Sequence, residues 1–255
     1  MKFCGLVRPQ DVDAAVAIGV DAVGFVFYPG SPRYVTLDDA AALRRRLPSW
    51  VSAVGLFVNA PVADMAEGVR RVGLDVVQAH GEETPALLAG LDMPGVDVWK
   101  ALRIGGCLAD LGAAGQDPAR LLATGRVPAD PEALREALRL FGGVSACLLD
   151  SAGPGFGGSG HAFDWTLAGA QPGLCGPGRD TCPAGTPATC AGAGRLILAG
   201  GLRPETVGNA VRQVRPFAVD VSSGIQGTGP REKDMVRMED FMAAILQADA
   251  ALAAQ

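Results

Sequence analysis

The chain has 255 residues and a formal net charge of −5, with 49% hydrophobic and 19% charged residues. That length suits one α/β barrel domain over residues 1–255, and an acidic balance with no basic run beyond Arg44-Arg45-Arg46 argues against a nucleic-acid partner. No apolar run reaches bilayer length and no signal-peptide pattern opens the chain, so no membrane partner is expected; six cysteines without disulfide-like spacing suit a reducing, cytoplasmic setting.

The first eight residues, Met1-Lys2-Phe3-Cys4-Gly5-Leu6-Val7-Arg8, are β-prone and deliver a thiol to a glycine turn. Pro9 then opens a helix, because a first-turn proline sacrifices no hydrogen bond. Ala22–Phe27 reads as a buried strand, broken at Pro29-Gly30-Ser31-Pro32. Thr36 caps a helix to about Leu47, with Asp38 and Asp39 in its first turn, where negative charge is favoured, and the arginine triplet near its end. Ala53–Val58 is a third strand, and Pro61–Val72 a helix with apolar residues at helical spacing. Val76–His80 is a fourth strand, followed by a helix over Thr84–Leu91, and Val96–Leu102 is a fifth. Gly105–Pro131, rich in Gly, Ala and Pro, reads as a long connection to a helix at Glu132–Phe141. Ala146–Asp150 is a sixth strand, with the glycine-rich loop Gly153–Gly160 and a short helix near Asp164–Leu167 behind it. Arg195–Gly200 and Ala218–Ser223 are the last strands, followed by helices over Pro204–Val214 and Lys233–Ala253.

Eight strands, each followed by a helix, is the count of a closed (β/α)8 TIM barrel. An open doubly wound sheet would carry its phosphate loop after the first strand, and Cys4-Gly5-Leu6-Val7-Arg8 lacks that glycine pattern. One segment stands apart. Gln171–Gly194 is dense in Gly, Pro and Ala and cannot bury enough apolar area to offset its ordering entropy. It reads as a flexible insertion between the sixth helix and the seventh strand. Its Cys175, Cys182 and Cys190 have no C-x-x-C spacing, so no metal is expected.

A barrel gathers its C-terminal strand ends into one site, so residues remote in sequence can act together. Those ends supply Cys4, Gln78, His80, Asp150, Gly200, Gly201, Ser222, Ser223 and Gly224, with Arg33 in the loop after the second strand and Lys100 on the fifth. A lone cysteine in an apolar strand is more often a small buried hydrophobe, and Asp150 could equally cap a turn. Together they offer a base and an acid: a nearby cation lowers a thiol toward neutrality, and a buried carboxylic acid can protonate an ether oxygen. Arg33 can hold a carboxylate through two parallel hydrogen bonds. Small residues after strands seven and eight expose backbone N–H groups, the usual phosphate cup of such barrels, and Gly158 in Gly157-Gly158-Ser159-Gly160 permits a third close approach.

The motifs Lys2-Phe-Cys-Gly5, Gly24-Phe-Val-Phe27, Ser31-Pro-Arg-Tyr34, Gly55-Leu-Phe-Val-Asn59, Asp75-Val-Val-Gln78 with His80-Gly81, Trp99-Lys-Ala101, Leu148-Leu-Asp-Ser151, Gly157-Gly-Ser-Gly160, Leu198-Ala-Gly-Gly-Leu202 and Val219-Asp-Val-Ser-Ser-Gly224 follow in order from the first residue to about Asp234. In this they resemble the phosphoribosylanthranilate isomerases of tryptophan biosynthesis. The resemblance implies Cys4 as general base, Asp150 as general acid, Arg33 on the anthranilate carboxylate, and Gly201, Ser222 and Gly224 at the phosphate. It implies an Amadori rearrangement of a phosphosugar substrate without cofactor or metal, by a monomer or homodimer. Phe3 and Ala79 depart from the family's larger or more aliphatic residues, as packing changes, and the Gln171–Gly194 insertion and long Gly105–Pro131 connection depart from its compact pattern. Sugar isomerases of the histidine pathway, or dual-substrate ones, are the nearest rivals. They place an aspartate where Cys4 stands and need a second phosphate site. A silent phosphosugar-binding protein would have no reason to keep Cys4, Asp150 and Arg33 together.

Overall fold

The computed structural model describes residues 1–91, 93–105, 117–152, 162–169 and 195–254. Among them are nine strands: β1 (Lys2–Cys4), β2 (Ala22–Val26), β3 (Ser52–Phe57), β4 (Val76–Ala79), β5 (Asp97–Ile104), β6 (Arg126–Val127), β7 (Ala146–Ser151), β8 (Arg195–Leu198) and β9 (Ala218–Val221). All are paired in parallel, and all but β6 close a barrel in the order β1-β2-β3-β4-β5-β7-β8-β9, with β9 returning to β1. The predicted closed barrel is therefore present.

Strands covered on both faces read as continuous apolar runs, and Ala22-Val-Gly-Phe-Val26 is buried at every position. Alternation decides what each side chain meets. Outward residues such as Val23, Phe25, Val77, Leu102, Leu149 and Leu198 join the large core beneath the helices. Phe3 points the same way and meets the Phe241 ring edge-on at 6.2 Å, which accounts for an aromatic residue in the first strand. Inward, Ala101, Ala146, Leu148, Ile197 and Ala199 fill one side of the barrel. Cys4, Val26, Leu56 and Val58 pack together at its mouth.

The Gly105–Pro131 connection differs from its reading as an irregular segment. Its described part contains a helix at Pro118–Ala123 and strand β6. Asp117 caps that helix by accepting the Ala119 N–H at 3.0 Å, and Pro118 fills the first helical position. The strand pairs Arg126 and Val127 with Arg103 and Ile104, where β5 runs past the end of its pairing with β4. Two residues offer too short an apolar pattern to stand out in sequence. The third helix also stops early, at Gly68, and continues as a wider turn over Val69–Gly73; a β-carbon added at Gly68 would lie 2.9 Å from the Phe57 ring. The fourth helix is Pro85–Ala89, and the closing helix, Met235–Ala253, is capped by Asp234, which accepts the Arg237 N–H at 3.0 Å. Among the described residues no helix is long and apolar enough to cross a membrane. The predicted Gln171–Gly194 insertion with its three cysteines and the glycine loop with Gly158 lie outside the described residues.

Candidate active site

Cys4 ends β1 facing inward, 5% exposed. Gly5 follows at φ +71°, a conformation that favours glycine, and a β-carbon there would lie 2.6 Å from Arg33 Cδ. The bare Gly5 thus lets the Arg33 side chain cross the mouth beside Cys4. The loop that carries Arg33 is held by Arg231, which donates to the carbonyls of Pro32 and Tyr34, both at 3.0 Å. Arg33 Nε is buried without a hydrogen-bond partner among the described residues. It is free to grip an acceptor.

Asp150 faces inward near the end of β7. Its Oδ1 accepts the Ser151 N–H at 2.8 Å, and Oδ2 lies 3.3 Å from His80 Nε2, beyond the end of β4. Gln78, fully buried one layer down, places its amide nitrogen 3.0 Å from His80 Nδ1. Gln78 thus fixes the imidazole ring from below, with Nε2 turned toward the Asp150 side of the cavity. Gly200, at φ +76°, keeps this corner open: a β-carbon would stand 2.7 Å from the Ser151 nitrogen and 3.1 Å from Asp150 Oδ1.

Ser222 links the last strand to the first, its hydroxyl donating to the Cys4 carbonyl at 2.9 Å. Lys233 donates from Nζ to the Ser222 carbonyl at 2.8 Å. Ser223 begins a single 3-10 turn, Ser223–Ile225. A β-carbon on Gly224 would fall 1.9 Å from the Leu202 carbonyl, so the loops after β8 and β9 touch. The backbone N–H groups of Gly201, Ser223 and Gly224 find no acceptor among the described residues.

Charge is concentrated underneath. Lys2 pairs with Asp220 at 3.0 Å inside the barrel, both almost fully buried. Burial opposes the Lys2 ammonium, but Asp220 and Cys4 outweigh it and hold the group above its ordinary value. Lys233 goes the other way: burial brings it down to about 7, and Arg33 adds to the effect against the pull of Cys4, Asp220 and Asp11.

One cavity at the mouth thus gathers Cys4, Arg33, His80, Asp150 and Ser222, the predicted chemical groups, with Tyr28 and Asp220. Gln78 supports it from below, while Gly200, Gly201, Ser223 and Gly224 shape the adjoining loops. Lys2, Asp220, Lys233 and Arg231 were absent from the sequence-derived set. Lys2 and Asp220 had a visible signal, an ionisable residue two positions before an inward site residue of the same strand. Lys233 and Arg231 had none, being placed by the loop after β9.

A parallel barrel that sets a thiol and a carboxyl around one cavity at the C-terminal ends of its strands is an enzyme of acid–base type. The profile of the family "N-(5'phosphoribosyl)anthranilate (PRA) isomerase" matches residues 1–117 and 118–242, and the chain belongs to that family. It is 40% identical over 255 residues to the N-(5'-phosphoribosyl)anthranilate isomerase of Ralstonia nicotianae, covering all of this chain and 95% of that one. The phosphoribosyl anthranilate isomerase of Thermotoga maritima superposes with a TM-score of 0.70 at 34% identity, over 96% of this chain and 98% of that one. A solved phosphoribosyl anthranilate isomerase in complex with reduced 1-(O-carboxyphenylamino)-1-deoxyribulose 5-phosphate gives a TM-score of 0.67 at 32% identity, over 96% and 97%.

Proposed function

We propose that this isomerase uses Asp150 as general acid and Cys4 as general base to convert N-(5-phosphoribosyl)anthranilate into 1-(2-carboxyphenylamino)-1-deoxyribulose 5-phosphate in tryptophan biosynthesis. The observation that carries the reading is the single cavity in which Cys4, Asp150 and Arg33 meet. The phosphate is held by the amides of Gly201, Ser223 and Gly224, which have hydrogen bonds to give, beside Ser222, whose hydroxyl proton is engaged by the Cys4 carbonyl. Arg33 takes the anthranilate carboxylate through its unpartnered guanidinium edge. Between these anchors the sugar lies with its ring oxygen toward Asp150 and C2 toward Cys4.

Asp150 delivers its proton to the furanose oxygen, the ring opens, and the anthranilate nitrogen becomes an iminium. The resulting carboxylate is received by the Ser151 N–H and faces His80 Nε2. Cys4 then removes the C2 proton, the iminium accepts the electron pair, and the enolamine tautomerises to the ketose. The iminium is the electron sink, so the chain's own side chains suffice. The enzyme works as one barrel domain, a monomer or homodimer in the cytoplasm, on a small phosphosugar and not on nucleic acid.

The test is a coupled assay of the purified chain with freshly made phosphoribosylanthranilate. Turnover is expected there and not with the bisphosphate substrate of the histidine-pathway isomerase. Turnover of the bisphosphate alone would overturn the assignment.

A further inference from the structure

We propose that Lys2 is a positioning residue that holds the Cys4 thiolate from inside the barrel, with Asp220 as its anchor. This rests on the reading of Cys4 as the base. The two residues stand two positions apart on β1, so both point inward, with Lys2 one layer below. Lys2 is 2% exposed. Both side chains close on the bare Cα of Gly24: a β-carbon there would lie 2.8 Å from Cys4 Sγ and 3.0 Å from Lys2 Cε. The sulfur and the end of the lysine stem are therefore neighbours.

A buried ammonium needs counter-charge, and Asp220 supplies it at 3.0 Å. That contact lies off the hydrogen-bonding direction. Neither Lys2 Nζ nor Asp220 Oδ1 has a well-directed hydrogen bond among the described residues. The ammonium thus keeps N–H groups to offer the sulfur above it, and the Cys4 charge is among the forces that hold Lys2 protonated.

The other groups near Cys4 explain why this task falls to Lys2. Lys233 touches Ser222 rather than the sulfur, and burial brings it down to about 7, so its charge is partly lost at neutral pH. Arg33, from the loop after β2, borders the same cavity but faces the proposed carboxylate position. His80, Asp150 and Tyr28 face the cavity from other strand ends, and Asp220 would repel a thiolate if Lys2 did not stand with it. Lys2 is the cation that is both buried beside the sulfur and held in its charged form.

The experiment follows the Cys4 thiolate by its ultraviolet absorbance as a function of pH, with Cys4→Ser as blank, alongside the pH profile of kcat/KM. In Lys2→Met the thiolate midpoint should rise by about one to two pH units, the usual effect of losing an adjacent opposite charge. The acid limb of kcat/KM should rise with it. Should Lys2→Met fail to fold because it strands the Asp220 carboxylate, Lys2→Met combined with Asp220→Asn removes both charges and should still raise the midpoint. A parental midpoint in a folded Lys2 variant overturns the inference. A midpoint that moves while the kcat/KM limb stays put supports Lys2 as the residue that governs the sulfur and instead overturns Cys4 as the base.

Discussion

At the scale of single residues, the proposed roles separate into loss of chemistry and loss of grip. Cys4→Ser changes one atom at a buried position, so fold and ligand binding should persist. Turnover should fall by several powers of ten, because a hydroxyl is far less often ionised than a thiol. Near-parental turnover in stopped assays would return Cys4 to the role of a small core residue. Asp150→Asn keeps the size and the Ser151 N–H contact but cannot give up a proton. Its kcat should collapse with little change in KM. Arg33→Ala removes a charge-assisted contact whose net value is roughly 1.5–3 kcal/mol. That loss should appear mainly in KM, by about one to two powers of ten. A simple phosphate ligand should bind both variants as it binds the parent, since the loops after β8 and β9 are untouched. Equal kcat losses in the two variants would contradict this division of labour.

At the scale of elements, the loop after β4 is tied down by a buried pair. Glu83, 3% exposed, accepts from Lys100 Nζ at 2.9 Å and from the Asn59 N–H at 2.7 Å, while Lys100 also donates to the Gly81 carbonyl at 2.7 Å. These bonds join the ends of β3 and β4 to β5, directly behind His80. Glu83→Ala would strand a buried ammonium that burial already pushes down, at a cost of about 3–5 kcal/mol in urea unfolding. Lys100→Met with Glu83→Gln should recover much of it, since the amide oxygen can still accept the Asn59 N–H; no recovery would mean that the stranded ammonium is not the source of the loss. This pair also marks the limit of the sequence. The strands were legible because both faces are apolar, and Cys4, Arg33, His80 and Asp150 because strand ends converge in a barrel. The Lys100–Glu83 tie joins an outward strand position to a loop 17 residues earlier, and no local spacing announces it. Strand β6 escaped for a related reason, since its two residues find their pairing only where β5 outruns β4. For Gln171–Gly194 the composition still supports a dispensable insertion. Replacing it with a short Gly/Ser loop should cost little stability, since closure entropy grows slowly with length. A deletion variant that does not fold would make the segment structural.

At the scale of the whole molecule, buried titratable groups give stability a predictable dependence on pH. Burial brings Lys233 down to about 7 from its ordinary 10.5. Between those values the unfolded chain holds a proton that the folded protein has released, so stability rises with pH. Lys100, also lowered by burial, acts in the same direction. Cys147 does the reverse: burial pushes its thiol up to about 12 from 9.0, with Lys100 offsetting only part of the effect. Above about pH 9 the unfolded thiol ionises while the folded one does not, so this group takes stability away as pH rises further. The protein should therefore gain stability from pH 7 to 9, by up to about 1.4 kcal/mol per pH unit for a single proton, and then level off. Urea unfolding followed by tryptophan fluorescence, in reductant and at closely spaced pH, reads this directly. Lys233→Met should flatten the rise between pH 7 and 9, and Cys147→Ala should let the parental rise continue beyond 9. A parental curve already flat from 7 to 9 would show that Lys233 stays charged in the folded barrel. In that case two cations, not Lys2 alone, would stand beneath the Cys4 mouth.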